Sequence, residues 1–172
     1  MTLIIDSTYL LPLARIGVDT DLLLALDEEK IKLSDDDLAV SLISIFELQA
    51  KATKLNINPR FISDSIDLIN TEFRIEPFYS AEIIKTSAEL LKVLNDYIDC
   101  IIVATSVVLN EDLITEDRKI NNIKKFIKDK YGINVFNYHD LKKKHPNCSR
   151  SNIKSSLANG TLQTVPSPKP LH

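Results

Sequence analysis

The chain has 172 residues, 44% hydrophobic and 26% charged, with a formal net charge of −3, a length that carries one α/β domain with its own core and is too short for two. Mild net acidity weighs against holding nucleic acid by bulk electrostatics, which needs clustered Lys and Arg, and three glycines leave no material for a glycine-rich phosphate loop. No apolar stretch approaches the ~18 residues of a membrane span, and the opening MTLIID reaches an acid at Asp6 instead of building an export signal, so a cytoplasmic protein with no membrane contact is expected.

Residues 2–5 (TLII) form a short aliphatic, partly β-branched run suited to a buried central strand, and Asp6 ends it. Two short helices follow, over YLLPLARIG and DTDLLLALDEEK, the second with Asp19 or Asp21 as N-cap. Asp35, Asp36 and Asp37 read as a solvated turn, and residues 38–43 (LAVSLI) as a second strand. Ser44 opens an amphipathic helix, IFELQAKATKL, that stops near Asn56 to Pro59. Another helix runs from Arg60 to Asn70. Residues 74–78 (RIEPF) are extended, Pro77 restricting the residue before it. Ala81 to Asn95 is a periodic helix, and Asp96 starts a second, YIDCIIVATSVVLN. Residues 112–115 (DLIT) are strand-sized, residues 120–131 make a basic amphipathic helix, and residues 133–136 (INVF) are the last strand.

Short strands alternating with helices imply a three-layer α/β sandwich with a central, mostly parallel sheet, occupying residues 1–144. From His145 onward the sequence is rich in Ser, Asn, Lys and Pro, so residues 145–172 are expected to be a polar, flexible tail.

Four carboxylates recur at equivalent places. Asp6 follows the first strand, Glu47 lies one turn into the helix after LAVSLI, Asp99 one turn into the helix after Asn95, and Asp117 just beyond DLIT. In open α/β sheets the carboxyl ends of strands meet at one crevice, so acids scattered along the chain can converge there. Converging like charges are costly without cations, and hard ions such as Mg²⁺ or Mn²⁺ take oxygen ligands and serve phosphodiester hydrolysis. Each acid also has a plainer reading. Ser44 and Glu47 match a capping box, Asp96 and Asp99 repeat that spacing, Asp6 suits a strand-end turn, and Asp117 could pair with Arg118. At a helix start, capping and metal binding are compatible, because the dipole keeps a carboxylate ionised.

In order and spacing, LIIDSTYL, SIFELQAKA, DYIDCIIVATSVVLNEDLIT and ITEDRKI resemble the four acidic motifs of PIN domains, over roughly residues 1–140. The most specific piece joins the last two motifs: an Asp, an aliphatic helix containing Ala104 and Thr105, a short connection, an aliphatic strand and Thr-x-Asp. The resemblance implies that Asp6, Glu47, Asp99 and Asp117 are metal ligands, directly or through water, with Ser7 and Thr115 as supporting hydroxyls. It favours Asp99 over Asp96, because CIIVAT follows Asp99 directly. It further implies a metal-dependent endoribonuclease that leaves a 5′-phosphate and a 3′-hydroxyl. Chains of this length resemble VapC-type toxins, which pair with a small antitoxin and commonly form homodimers; other members process RNA. The excess of basic residues from Arg118 to Lys144 offers RNA contacts, for which Arg118, Lys119, Lys142 and Lys143 are the candidates.

Two other classes compete. A phosphoryl-transfer domain also places acids at strand ends around Mg²⁺, but Asp6-Ser7-Thr8 lacks a second acid two residues after the first. If the acids are only caps, the chain is an α/β interaction module without catalysis. Cys100, His139 and His145 are too few and scattered for a transition-metal site.

Overall fold

Five short strands, β1 (Leu3–Ile5), β2 (Leu38–Ser41), β3 (Arg74–Glu76), β4 (Asp112–Ile114) and β5 (Val135–Phe136), pair in parallel in the order β3-β2-β1-β4-β5. β1, β2, β4 and β5 fall within the four expected strands, and β3 within the extended segment 74–78. The structure is a computed structural model and describes residues 2–31, 33 and 37–144. Asp35, Asp36 and the expected tail from His145 lie outside the described residues.

The register explains the layering. Ile4 pairs with Ala39 on one side and Leu113 on the other, and successive strand residues face opposite sides of a sheet. Ile4, Ala39, Leu113 and Val135 therefore enter one core, with residues of α4 (Ala81–Leu90), α5 (Tyr97–Leu109), α6 (Arg118–Asn122) and α7 (Lys124–Tyr131). Leu3, Ile5, Leu38, Val40 and Ile114 enter a second core, with the 3-10 helix Ser7–Ala14, α1 (Leu22–Asp27), α2 (Leu42–Lys54), α3 (Pro59–Glu72) and α8 (Tyr138–Lys144). Two apolar cores on two faces of one sheet make the expected three-layer sandwich. No helix among the described residues is long and apolar enough to cross a membrane.

Several boundaries differ from the sequence-based expectation, each for a local reason. β2 stops at Ser41 and α2 begins at Leu42, before Ser44. The Ser41 hydroxyl lies 3.2 Å from that of Thr105, which itself donates to the Ile101 carbonyl. Ser41 is thereby tied across to α5, and it makes no side-chain cap bond to its own helix. The basic helix expected over residues 120–131 is two helices meeting at Ile123. There the Asn121 amide donates to the carbonyls of Thr115 and Asp117, which fastens α6 to the end of β4 at the expense of a continuous helix. The first helix is a 3-10 turn starting at Ser7 with Pro12 inside it, and Asp21, not Asp19, caps α1. α4 ends at Leu90, short of Asn95.

Candidate active site

β1 is the central strand, and Asp6 follows its last residue with only 4% of its surface exposed. Its carboxylate is gripped from several directions. Ser7 donates both its N–H (2.6 Å) and its hydroxyl (3.3 Å) to Oδ1, while the Thr8 hydroxyl (3.4 Å) and the Thr115 hydroxyl (2.6 Å) reach Oδ2. Burial raises the Asp6 carboxyl above the ordinary Asp value, and the Thr115 bond opposes this; Glu47 pushes further up, while Ser7 and Lys51 pull down.

Thr115, fully buried just beyond β4, also accepts the Asp117 N–H at 2.9 Å. One hydroxyl thus links Asp6 to the segment carrying Asp117. The Asp117 side chain accepts from the N–H groups of Lys119 and Ile120, capping α6. The alternative pairing of Asp117 with Arg118 does not form.

Asp96 caps α5 by accepting the Ile98 N–H, which leaves Asp99 in the first turn with no hydrogen bond among the described residues. The Asp99 carboxyl is pushed up to about 7, first by burial and then by Asp96, Asp117, Asp6 and Glu47. Its charge therefore feels each of the other three candidate acids, which come from three separate segments of the chain.

Glu47 is not a capping-box acid. Because α2 starts at Leu42, the Ser44 hydroxyl is buried without a partner and Glu47 lies in the second turn. One oxygen, Oε1, is 2.7 Å from the Lys51 ammonium; the other, Oε2, is buried and unpartnered. A buried carboxylate oxygen without a donor is costly, and a cation would remove that cost.

The divalent ion expected from the sequence can be judged against these donors. Among the described residues, no three His, Cys, Asp or Glu side chains already form a ready ligand group. The chemistry nevertheless fits: the four candidates offer only hard oxygens, Glu47 keeps an orphaned one, and burial first, with repulsion from neighbouring acids added, raises Asp99.

Of the residues suggested for RNA contact, Arg118 and Lys119 are exposed on α6, and Lys142 and Lys143 are exposed on α8. The sequence reading missed Lys51, whose i+4 spacing from Glu47 was the available signal, and Glu116. Glu116 Oε1 accepts both the Tyr9 hydroxyl (2.6 Å) and the Tyr138 N–H (2.9 Å). Nothing local in the sequence points to those partners.

A family model described as PIN domain matches residues 3–126. No curated protein matches the chain. Among solved structures, VapBC2 from Rickettsia felis, bound to a DNA fragment from its promoter, is similar with a TM-score of 0.56 and 20% identity, over 80% of this chain and 99% of that one. FitAcB from Neisseria gonorrhoeae gives 0.55 and 19%, over 79% and 97% of the two chains. A toxin-antitoxin complex from Klebsiella pneumoniae gives 0.52 and 23%, over 71% and 92%. At such identities the likeness concerns the fold.

Proposed function

The chain belongs to the PIN domain family, and from that premise we propose that it is a divalent-metal-dependent endoribonuclease hydrolysing phosphodiester bonds in RNA. The carrying observation is the convergence of the acids: the Thr115 hydroxyl links Asp6 to the Asp117 segment, and the Asp99 carboxyl, raised first by burial and Asp96, is raised further by Asp117, Asp6 and Glu47. Asp6, Glu47, Asp99 and Asp117 are the residues that would hold Mg²⁺ or Mn²⁺. Such an ion, when bound, supplies positive charge for the phosphoryl oxygens and acidifies the attacking water.

The chain's own residues contribute orientation. Thr115 and Ser7 fix both oxygens of Asp6, and the first turn of α5 carries Asp99. Lys51 steers Glu47. No nucleophilic side chain is required, because water is the attacking group.

The test is cleavage of a mixed single-stranded RNA pool by the full chain with Mg²⁺, with Mn²⁺ and with chelator, beside Asp99→Asn purified in parallel. Metal-dependent products with 5′-phosphates, absent from the variant, support the reading. Equal cutting by both proteins, or none by either, removes it. The Lys51–Glu47 pair then favours the second reading, an interaction module in which Glu47 is held by its own helix.

A small antitoxin and a homodimer belong to the same proposal. The neighbours named as toxin-antitoxin complexes support the first. The second is supported by the exposed Leu42 and Phe46, which flank a groove of about 420 Å³ beside Phe78. Light scattering that returns twice the chain mass of 19.4 kDa is the expected result, and the mass of a single chain rejects the dimer.

A further inference from the structure

Charge is divided sharply along the sequence: residues 118–144 carry nine Lys and Arg against two acids, Asp129 and Asp140, in a chain that is net acidic. Four of these lysines line one cleft, together with both acids, Asp129 and Asp140. Lys124, Lys125 and Lys128 on α7 and Lys143 on α8 line a cleft of about 450 Å³ whose floor includes Val135 and Phe136 of β5. Lys124 is engaged by Asp140 at 3.3 Å, and Lys128 by the Asn134 side chain. Lys125 and Lys143, both exposed, have no carboxylate partner among the described residues. Phe136 is half-buried, with the Lys144 ammonium 4.5 Å from its ring centroid.

The cleft is coupled to the acidic site by position. Phe136 ends β5, at the same sheet edge where β1 delivers Asp6, and β4 alone separates the two strands. Adjacent strands lie ~4.8 Å apart, so the two strand ends are roughly 10 Å from each other. Both walls are fastened to residues 115–117: α8 through the Tyr138 N–H on Glu116, and α6, which leads into α7, through Asn121 on Thr115 and Asp117.

The geometry points to this cleft as the track that holds the backbone phosphates of a single-stranded RNA whose neighbouring linkage reaches the acidic site. This rests on the nuclease reading. Lysines on two walls meet a flexible polyanion from both sides, and the apolar floor with Phe136 offers a surface for a base, the combination that single-strand binders use. Acids fill the reaction site, so affinity for a polyanion has to come from elsewhere. The cleft supplies it next door.

Binding of a labelled single-stranded RNA, followed by fluorescence anisotropy in chelator at several salt concentrations, separates this from catalysis. The proteins are the full chain, the triple variant Lys125→Gln/Lys128→Gln/Lys143→Gln, and a control with the same charge change on exposed lysines elsewhere, Lys54→Gln/Lys85→Gln/Lys92→Gln. Thermal melts check that all three fold. The expected result is affinity about tenfold weaker in the cleft variant, with the salt slope reduced by roughly 2, at ~0.7 per lost phosphate contact on a single strand. The control should stay near wild type. Equal losses in both variants, an unchanged cleft variant, or displacement of the RNA by polyglutamate at equal charge would overturn the inference. Binding in chelator reads the cleft, and cleavage with Mg²⁺ reads the acidic site. A cleft variant that binds like wild type therefore overturns this inference alone, whereas a wild type that binds RNA without cutting it fails the nuclease reading alone.

Discussion

Asp99→Asn is expected to lose at least about a hundredfold in metal-dependent cleavage, the several kcal/mol that a cation ligand contributes to charge stabilisation, and yet to make the metal-free protein more stable. The second half follows from linkage. An unfolded Asp titrates near ~3.9, while the folded Asp99 is raised to about 7 by burial and by Asp96, Asp117, Asp6 and Glu47. A raised carboxyl pKa means that folding disfavours the charged form. Below pH ~4 both states are protonated and the group costs nothing. As pH rises toward 7 the unfolded chain releases its proton first, and wild type loses stability until the folded group also ionises. Three pH units would be about 4 kcal/mol at full strength, and partial exposure with salt screening reduces that to roughly 1–2 kcal/mol. In chelator at pH 8 the variant should therefore melt several degrees above wild type, with the gap closing near pH 4. Adding Mg²⁺ should raise wild type more than the variant, because an ion bound only to the folded state stabilises it. A variant that melts lower in chelator at pH 8, or gains equally at pH 4, would show that Asp99 is not under charge strain.

The features that made this architecture readable were those with a local physical signature. TLII, LAVSLI and DLIT are short aliphatic runs that alternate with helix-forming segments, and that alternation implies a covered parallel sheet. The candidate acids stand out in the sequence because Asp6, Asp99 and Asp117 are each expected where a strand ends or a helix begins, and Glu47 one turn into a helix. Ser44 and Glu47 show where local rules fail. Their spacing satisfies a capping box, but the Ser41–Thr105 contact, from residues far apart in sequence, starts α2 three residues earlier. Likewise Ile120, Ile123 and Ile127 have the spacing of one continuous helix, and only the Asn121 bonds to Thr115 and Asp117 explain the break. Glu116 was missed for the same reason: its role depends on Tyr9 and Tyr138, at separations of 107 and 22 residues.

Glu116 carries the second large effect. Tyr9 is fully buried, and the Glu116 carboxylate is the hydrogen-bond partner of its hydroxyl; burial and that bond raise the phenol far above its ordinary value. Glu116→Ala strands a buried hydroxyl together with the Tyr138 N–H at the start of α8, and at 1–3 kcal/mol per unsatisfied group the cost should be about 2–4 kcal/mol. Tyr9→Phe should cost less, about 1 kcal/mol, since the half-buried carboxylate keeps Tyr138 and some water. Glu116→Gln retains an acceptor oxygen and should recover most of the stability in urea denaturation. The same order should appear in cleavage, because Glu116 lies between Thr115, which holds Asp6, and Asp117. Glu116 touches no reacting atom, so its effect on cleavage would be one of positioning, and rescue by Gln distinguishes this from a requirement for its charge. If Glu116→Ala unfolds within 0.5 kcal/mol of wild type, a threshold typical of inert surface changes, the brace joining the 3-10 helix, the end of β4 and α8 carries no weight. A Gln variant that is stable but inactive would instead move Glu116 itself into the metal-binding set.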